Sequence, residues 1–478
     1  MKGIESIRES FKTRQVKYGG YAALITLAVI IGLILLNLMM GQFSPQIDMT
    51  ASRLFSLSEQ TTQLLGSINT PVKFYGLWRP GEEDNNVMDV INLYVSKNSN
   101  ITFELVDPDR NPGFVMRYDR EQRGISRGSL IVEGAKGFRV IAPIDMYDFT
   151  QTQQGGRSVV AIAVERRITS ALIFAGTGET PVVYELTGHN EIPLSMLGLQ
   201  ETVERENFAL RTLNLLLSDV PQDASAIIIN NLMRDLTAAE AEKLLEYLGR
   251  GGRLLVLADY NIQDLTNLND VLTSYGLQFN YGIVRETDPY YVAIDTRTAW
   301  PDLLEHDITV PLLDKTQTPV VLLEGMPLSI LETRRRTIDV KPLMVSSPSA
   351  YLRTNLDDNS AMRVPSDIPG PHVFAAAVTD PSWVQDGGSQ ARVVVIGAGN
   401  LLVLAIQGFD ANRDLFMNSL TWLQDRPETI SVRSKSLILL PMRMSLAQII
   451  LFGVLFIFVI PMAFFVTGFV NWLRRRHL

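Results

Sequence analysis

Two long apolar runs, one near each end of the chain, constrain its fold more than any other feature. The first is "YAALITLAVIIGLILLNLMM" at residues 21–40, and the second is "LAQIILFGVLFIFVIPMAFFVTGFV" at residues 446–470. Neither contains a charged residue, and at about 1.5 Å of rise per residue each can cross the roughly 30 Å hydrocarbon core of a bilayer as a helix. A cleaved signal peptide has a shorter apolar core followed by small residues, whereas the first run continues into "GQFSPQ". The sequence therefore predicts two transmembrane helices that hold both termini on one side of a membrane.

The residues that flank these runs predict the orientation. Residues 1–20 carry five basic and two acidic side chains, and residues 471–478 read "NWLRRRHL". Basic flanks favour the cytoplasmic side, so we expect two cytoplasmic tails and a large extracytoplasmic region between the helices. That region has a net charge of about −14, because the tails hold eight of the 43 Lys and Arg but two of the 51 Asp and Glu. An acidic region is poorly suited to nucleic acid, whose phosphates need basic contacts.

The chain contains no cysteine. Thiol nucleophiles, thiol redox chemistry, thiolate zinc sites and disulfide bonds are therefore excluded. The extracytoplasmic region must be stabilised by its apolar cores, and its length of about 400 residues predicts two or three domains.

The first part of this region, residues 44–150, has the pattern of a small mixed domain. Ser58 precedes an apolar spacing typical of a short helix, and "PVKFYGL" then predicts a strand. A helix is expected at about residues 84–97, a strand at 101–107, and a hairpin around 134–137. The order strand, helix, strand, hairpin is typical of a thioredoxin-like domain.

The second part, residues 160–430, has the pattern of an α/β domain. Apolar runs such as "ASAIIIN", "RLLVLAD" and "RVVVIGAGNLLV" predict strands that are buried on both faces. Thr237 and Glu240 form a capping-box pattern ahead of an apolar helical stripe that ends at glycines. A strand, helix, strand unit of this length requires a parallel crossover. We therefore predict a doubly wound parallel sheet, with a β-rich insertion at about residues 260–390.

Polar residues follow several of these predicted strands. In open α/β sheets, ligands bind at the carboxyl ends of the strands, so we expect the loops to form one candidate crevice. Its residues are His189, Asn190 and Glu191 in "ELTGHNE", and Asn231, Asp259 and Asn400. The alternative is that His189 and Glu191 hydrogen-bond within their own loop and only shape a turn.

Motifs for catalysis are missing from the sequence. The chain has no G-x-x-x-x-G-K followed by Ser or Thr, so ATP must be hydrolysed by another subunit. It also lacks the cysteine of an amidotransferase, the G-x-S-x-G of a serine hydrolase and the H-E-x-x-H of a zinc hydrolase. A metal site built from His189, His306 and His372 remains an alternative. The prediction is a chain with no catalytic residues, no bound metal and no cofactor.

Several segments together resemble one family, the auxiliary component of gliding-motility-type ABC transporters. They are "DMTASRLFSLSEQTTQLLGSINTPVKF", "ELTGHNE", "LEYLGRGGRLLVLAD" and "NRDLFMNSLTWLQDRPETISVRSKS", followed by the second apolar run and the terminal arginines. The resemblance implies a membrane-anchored partner of an ABC-2-type permease and its ABC ATPase. It also implies a thioredoxin-like domain and an α/β domain similar to glutamine amidotransferases. The family commonly has Gly-His-Gly-Glu at residues 188–191, and Asn190 in place of glycine argues against an unusual backbone angle there.

These observations favour a two-pass protein of the bacterial inner membrane. Our first hypothesis is a non-catalytic accessory subunit whose extracytoplasmic region receives, gates or scaffolds the transported substrate. The alternatives are an extracytoplasmic receptor for a ligand or polymer, or a hydrolase, using the crevice around His189 and Glu191.

Overall fold

The computed structural model of the protein describes most of the chain between residues 56 and 424 and helical segments near both ends. The described residues are 21, 24–35, 56–119, 124–151, 157–260, 265–313, 319–358, 360, 362–382, 389–424, 435–436 and 446–476. The predicted N-terminal basic tail, residues 1–20, lies outside these residues, whereas residues 471–476 of the predicted C-terminal tail are helical. The chain divides into two compact units, residues 1–54 and residues 55–478.

Apolar helices occur in both units. In the first unit, α1 spans Leu24–Leu35 and is a short apolar helix. In the second, a continuous helical segment runs from residue 446 to 476, and its residues 450–470 form the one described helix that is long and apolar enough to cross a membrane. A π-helical turn at Leu455–Val459 ends two residues before Pro461, whose missing N–H interrupts the α-helical hydrogen bonds. Residues 36–40 of the first predicted span lie outside the described residues.

The first folded region contains a four-stranded sheet with helices on its faces. Its helices are α2 (Glu59–Ser67), α3 (Asn85–Lys97), α4 (Pro112–Tyr118) and α5 (Val164–Thr177). Its strands are β1 (Val72–Gly76), β2 (Ile101–Leu105), β3 (Leu130–Glu133), β4 (Phe138–Ile141), β5 (Tyr147–Gln151) and β6 (Arg157–Ile162). The sheet order is β2-β1-β3-β4, with β1 and β2 parallel and the other pairs antiparallel. The chain therefore passes through a strand, a helix, a strand and a hairpin in the predicted order.

Side-chain hydrogen bonds cap two helices of this region near the positions where the sequence predicts that they begin. The Ser58 hydroxyl accepts a hydrogen bond from the backbone N–H of Thr61 at 3.2 Å, and the Asp84 carboxylate accepts one from Asn86 at 2.9 Å. Each bond satisfies one of the N–H groups that the first turn of a helix leaves unpaired.

The second folded region is built on a ten-stranded sheet. Its helices are α6 (Gln200–Arg205), α7 (Ala238–Gly249), α8 (Thr266–Thr273), α9 (Leu401–Ile406) and α10 (Asp410–Leu423). Its parallel strands are β7 (Val182–Leu186), β8 (Ala209–Leu213), β9 (Ala224–Asn230), β10 (Arg253–Leu257) and β21 (Ala391–Ile396). These five follow the order β8-β7-β9-β10-β21. The strand order reverses between β7 and β9, which is where doubly wound sheets open a crevice.

Both faces of this parallel sheet are covered by helices. On one face, Ile227 and Val256 share an apolar core with Leu244 of α7 and Leu268 of α8. On the other face, neighbouring residues of the same strands pack into a second core with Leu401 of α9 and the side chains of α10. Successive strand residues point to opposite faces, so the apolar runs must fill two cores. The mixed α/β fold predicted from the sequence is confirmed.

The segment between β10 and β21 adds strands to the same sheet. The segment contains β11 (Leu277–Phe279), β12 (Ile283–Arg285), β13 (Thr298–Ala299), β14 (Asp302–Leu303), β15 (Leu322–Leu323), β16 (Leu328–Ile330), β17 (Asp339–Val345), β18 (Tyr351–Arg353), β19 (Ile368–Pro369) and β20 (Val373–Asp380). Of these, β11, β14, β16, β17 and β20 belong to the main sheet. Strand β20 lies antiparallel beside β21, and β16 and β17 pair with β20. Strands β12, β18 and β19 form a separate small sheet. Much of the predicted insertion is thus continuous with the main sheet, because the apolar β20 needs a paired neighbour on each side.

A buried charge network joins the two folded regions. Arg166 on α5 lies 3.0 Å from Asp148 and 3.7 Å from Glu206, and Arg167 lies 2.9 Å from Glu206. Arg413 on α10 also approaches Asp148, at 3.8 Å. Asp148 and the arginines of α5 belong to the first region, whereas Glu206 and Arg413 belong to the second. The two regions are therefore held together by ion pairs that water reaches poorly.

Candidate functional site

The carboxyl ends of the parallel strands carry the polar residues that the sequence singled out. Strand β7 leads into His189, Asn190 and Glu191, β9 into Asn231, and β10 into Asp259, while Asn400 lies just beyond the end of β21. Parallel strands end at one edge of a sheet, so these residues share that edge as predicted. They form two separate groups, which we call the histidine cluster (His189, Glu191, Glu240) and the asparagine cluster (Asn231, Asp259, Gly399, Asn400).

The imidazole of His189 is enclosed between two carboxylates. Its Nδ1 lies 3.1 Å from a Glu191 oxygen, and its Nε2 lies 3.1 Å from an oxygen of Glu240. The backbone N–H of His189 also donates to Glu191, at 2.8 Å. The residue is 4% exposed, and both ring nitrogens are engaged. In this arrangement no ring nitrogen of His189 is open to a substrate, whereas a general acid or base must reach the proton that it transfers.

Glu240 is the member of the histidine cluster that the sequence analysis missed. The Thr237 and Glu240 capping box is present, and one Glu240 oxygen accepts from the Thr237 backbone and hydroxyl at 2.8 Å each. Burial raises the pKa of Glu240, but the hydrogen bonds from Thr237 and His189 outweigh this effect and hold the pKa below its usual value. The contact with His189 spans 51 residues and has no local sequence signal.

The loop that carries the histidine cluster has an unusual backbone. Gly188 has a φ of 122° and Asn190 a φ of 59°, which is the left-handed region. The expectation that asparagine at position 190 argues against such an angle is wrong. Asparagine is among the few residues other than glycine that adopt this conformation readily, since its short polar side chain can hydrogen-bond locally.

The asparagine cluster packs around Gly399. The Asn400 amide donates to Asp259 at 2.9 Å, and a Cβ atom on Gly399 would lie 2.6 Å from the Asp259 Cβ and 2.8 Å from the Asn231 Cγ. Glycine is therefore required for Asn231, Asp259 and Asn400 to approach one another. Asn231 is 5% exposed, and its buried Oδ1 has no hydrogen-bond partner among the described residues. An unpaired buried acceptor is costly to stability.

The three histidines considered as metal ligands lie in different environments. His306 accepts a hydrogen bond from the backbone of Ile308 and packs against Trp422, and His372 donates to the carbonyl of Ile368. Burial lowers the pKa of both. Within the part of the chain that the structure describes, no group of three or more His, Asp or Glu could hold a metal ion. The three-histidine alternative is therefore wrong for the described residues.

Glu185 lies beneath the candidate site and gives a pH-dependent prediction. Its carboxylate accepts from Leu194 at 2.7 Å. Burial raises its pKa, the Leu194 bond lowers it and the charge of Glu191 raises it, for a net increase. A carboxyl group whose pKa is higher in the folded than in the unfolded protein stabilises the fold at pH values below its unfolded pKa. This contribution is lost as the pH rises through the folded pKa. Glu185→Gln, which keeps the acceptor, should therefore gain stability relative to the wild type between pH 4 and pH 7.

Urea unfolding of the detergent-solubilised chain, followed by tryptophan fluorescence at several pH values, measures this difference. Glu242→Gln on an exposed position of α7 makes the same change in net charge and serves as the control. The prediction would be contradicted if the free energies of unfolding of Glu185→Gln and the wild type became more alike as the pH rises.

Family comparisons match two parts of the chain. Residues 180–425, which contain both clusters, match the model of a family described as ABC-type uncharacterized transport system. Residues 51–147 match a domain of unknown function, DUF7088. No curated protein sequence matches the chain.

Among solved structures, the chain is similar to the mmIFT52 N-terminal domain, with 16% identity over 51% of this chain and 96% of that chain and a TM-score of 0.37. A glutamine amidotransferase from Thermotoga maritima matches at 11% identity over 52% of this chain and 99% of that chain, with a TM-score of 0.28. An exo-β-1,4-mannosidase from an Opitutaceae bacterium matches at 10% identity over 73% and 49% of the two chains, with a TM-score of 0.25. Similarities this low carry no argument about activity.

Proposed function

The chain belongs to the family described as ABC-type uncharacterized transport system, and from this membership we propose that it is a non-catalytic membrane subunit of an ABC-2-type transporter. Its partners would be an ABC-2-type permease and an ABC ATPase, since this chain has no P-loop motif. The extracytoplasmic region would receive, gate or scaffold the transported substrate. The thioredoxin-like assignment of the first region belongs to the same proposal, and the sheet order β2-β1-β3-β4 supports it.

The attachments at the two ends of the folded regions support a two-pass topology. Near the start, the backbone N–H of Ser58 donates to Glu165 at 2.7 Å. Near the end, Lys435 and Ser436 form a short strand, β22, that pairs with Ile162 and Ala161. Residues 437–445 extend at most about 35 Å, so the second apolar run must begin within that distance of residues 161–165. A second run that begins there is expected if both apolar runs enter the membrane on one side of the folded regions.

Site-directed labelling tests this topology, because the absence of cysteine gives a clean background. We expect Ser99→Cys, at an exposed position after α3, to react with a membrane-impermeant maleimide in intact spheroplasts. Ser10→Cys in the basic tail should react only after the membrane is permeabilised. The reverse pattern would contradict the proposed orientation, and labelling of both variants in intact spheroplasts would contradict a cytoplasmic N-terminal tail.

Copurification tests the proposed function. The full chain with an affinity tag, extracted in a mild detergent, should bring down a permease and an ATPase in constant ratio. Recovery of the chain alone across several detergents, or with unrelated proteins in variable amounts, would contradict the proposal. A matched sample that lacks the second apolar run, residues 446–470, is expected to lose the permease if the helices mediate docking.

The enclosed histidine cluster supports a structural role for His189 and a non-catalytic protein. The asparagine cluster favours a second candidate function, a receptor that holds a ligand at the sheet edge. Its buried Asn231 Oδ1 has no hydrogen-bond partner among the described residues, as expected for a group that is completed by a ligand.

Neighbouring asparagines give a matched pair of variants for this second function. Asn231→Gly keeps the backbone φ of 57° and removes the unpaired oxygen, so its melting temperature should equal that of the wild type or exceed it. Asn230→Ala removes a hydrogen bond to the Ile192 carbonyl of 2.6 Å and should cost about 1–2 kcal/mol. A larger loss for Asn231→Gly than for Asn230→Ala would show that Asn231 stabilises the fold and would remove the argument for a ligand.

A further inference from the structure

A cleft of about 610 Å³ lies within residues 279–373 and shares no residue with the histidine or asparagine cluster. One wall follows β11 and β16 and includes Phe279, Tyr281 and Ser329. The opposite wall belongs to the small sheet and includes Leu352 and Ile368. The cleft therefore separates the edge of the main sheet from the small sheet, and its volume is in the range of about 300–1,000 Å³ that is usual for small-molecule sites.

The lining of the cleft is uncharged. None of its twelve residues is Asp, Glu, Lys or Arg. Arg353 lies between two lining residues, Leu352 and Thr354, but successive strand residues point to opposite sides. Its guanidinium is 1% exposed and bonds Asp367 at 2.8 Å and 3.1 Å, so its charge is neutralised away from the cleft. The cleft therefore offers no electrostatic attraction to an ionised ligand.

The wall that follows β11 presents aromatic surface. Phe279 is the last residue of β11, Tyr281 follows two residues later, and both line the cleft. Phe279 is buried in the core, whereas Tyr281 is 44% exposed. Across the cleft, Ile368 is also exposed. A ligand with a flat apolar face would cover both side chains, and aromatic rings supply large contact area at low entropic cost.

Hydrogen-bonding groups are interspersed with this apolar surface. Asn280 donates to the Ser329 hydroxyl at 2.8 Å and accepts from it at 3.1 Å, which leaves its amide one further N–H and one further lone pair. His372 Nε2 lies 3.1 Å from the Ile368 carbonyl, and since a carbonyl oxygen only accepts, this nitrogen carries the proton. The neutral ring then presents Nδ1 as an acceptor. The lining can therefore both donate and accept.

We propose that this cleft binds a neutral polyhydroxylated ring, that is, a segment of an uncharged saccharide. Sugar rings combine an apolar C–H face, which would cover Tyr281, with hydroxyl groups that both donate and accept, as Asn280 and His372 require. This proposal rests on the cleft alone and does not depend on the transporter assignment.

Other ligand classes fit the cleft less well. A phosphate or nucleotide needs cationic or clustered N–H donors, and a hard metal ion needs carboxylate oxygens; the lining has no cationic side chain and no carboxylate. A hydrocarbon chain would bury the remaining N–H and lone pair of the Asn280 amide without supplying hydrogen-bond partners for them, which is unfavourable.

Ligand-observed NMR tests the proposal with the full chain in lipid nanodiscs. The probes are maltohexaose, cellohexaose, mannohexaose and N-acetylchitohexaose, with hexagalacturonate and inorganic phosphate as charged comparisons. We expect saturation transfer to at least one uncharged hexasaccharide and weaker or no transfer to the charged probes. Absence of binding by all four uncharged probes, or tighter binding of hexagalacturonate, would overturn the proposal.

Matched variants locate the binding. Tyr281→Ala should weaken binding about tenfold or more, and Tyr281→Phe, which keeps the ring, should bind nearly as well as the wild type. Tyr290→Ala removes a tyrosine that is 83% exposed and lies outside the cleft lining, and it should not change the affinity. Loss of binding in Tyr290→Ala, or undiminished binding in both Tyr281→Ala and Asn280→Ala, would overturn the assignment to this cleft. Melting temperatures of all variants check that they are folded.

Discussion

Arg166→Met is expected to lower the free energy of unfolding by about 3–5 kcal/mol, the range typical when one member of a buried ion pair is removed. Arg166 is buried, with a side chain 6% exposed. Burial lowers its pKa, but the charges of Asp148, Glu206 and other acidic groups outweigh this effect and keep it ionised. Removal of the guanidinium would leave Asp148 and Glu206 partly buried with fewer compensating charges. The cost comes from that uncompensated charge more than from the attraction that is lost.

The location of Arg166 gives this variant a second effect. Its partners lie on β5 of the first folded region and at the end of α6 in the second, so the loss should weaken the association of the two regions. We expect limited proteolysis of Arg166→Met to release fragments that divide near residue 178, whereas the wild type remains intact under the same conditions. The fragments report separation of the regions, which a loss of stability within one region would not produce.

Urea unfolding of the detergent-solubilised chain measures the loss in stability. Arg79→Met is the matched control, because Arg79 pairs with Asp109 at 2.8 Å but is exposed to solvent, and exposed pairs contribute little. If Arg166→Met lowered the free energy of unfolding no more than Arg79→Met does, the buried network would not stabilise the fold. Arg166→Met combined with Asp148→Leu should recover part of the loss, since the uncompensated carboxylate is removed as well.

Glu240→Ala is expected to lower the free energy of unfolding by about 2–4 kcal/mol, which combines the loss of a helix cap with the loss of partners for buried donors. The backbone N–H of Thr237 and the Nε2 of His189 both bond the same Glu240 oxygen. The substitution therefore removes the start of α7 and one of the two carboxylates that enclose His189. Among the described residues, His189 makes one hydrogen bond to α7, and the substitution would remove it from loop 187–191.

The matched control for this variant is Glu242→Ala, on an exposed position of the same helix. Thermal unfolding monitored by circular dichroism compares the two, and we expect Glu242→Ala to remain close to the wild type. A loss in Glu240→Ala of only about 1 kcal/mol, the usual value for a helix cap alone, would show that the contact with His189 contributes nothing. Because the folded pKa of Glu240 is lowered, its contribution should be present above the unfolded pKa and disappear as the pH falls through the folded pKa.

Features that depend on neighbouring residues were predicted from the sequence. The caps at Ser58 and Thr237 involve groups three residues apart, so the sequence contains both partners in one short window. The strands of the parallel sheet were predicted because residues buried on both faces must all be apolar. The shared edge of Asn231, Asp259 and Asn400 followed from the same reasoning, since parallel strands place their carboxyl ends together.

Features that depend on residues far apart in the chain were not predicted from the sequence. The bond between His189 and Glu240 exists because α7 packs against the loop after β7, and the pairing of β20 with β21 exists because a buried strand needs partners on both sides. The left-handed angle at Asn190 was not expected, although asparagine adopts that region more readily than most residues other than glycine.

The sequence by itself determined the two long apolar runs, the helix caps, the alternation of strands and helices, and the lack of cysteine chemistry and of a P-loop motif. These follow from residue type and from spacing within a few positions. Only the tertiary structure decided that His189 is enclosed by two carboxylates, that Arg166 joins the two folded regions, and that an uncharged cleft lies beside β11. Each of these depends on groups far apart in the chain, whose distance is fixed by the packing of whole helices and sheets and not by any local preference.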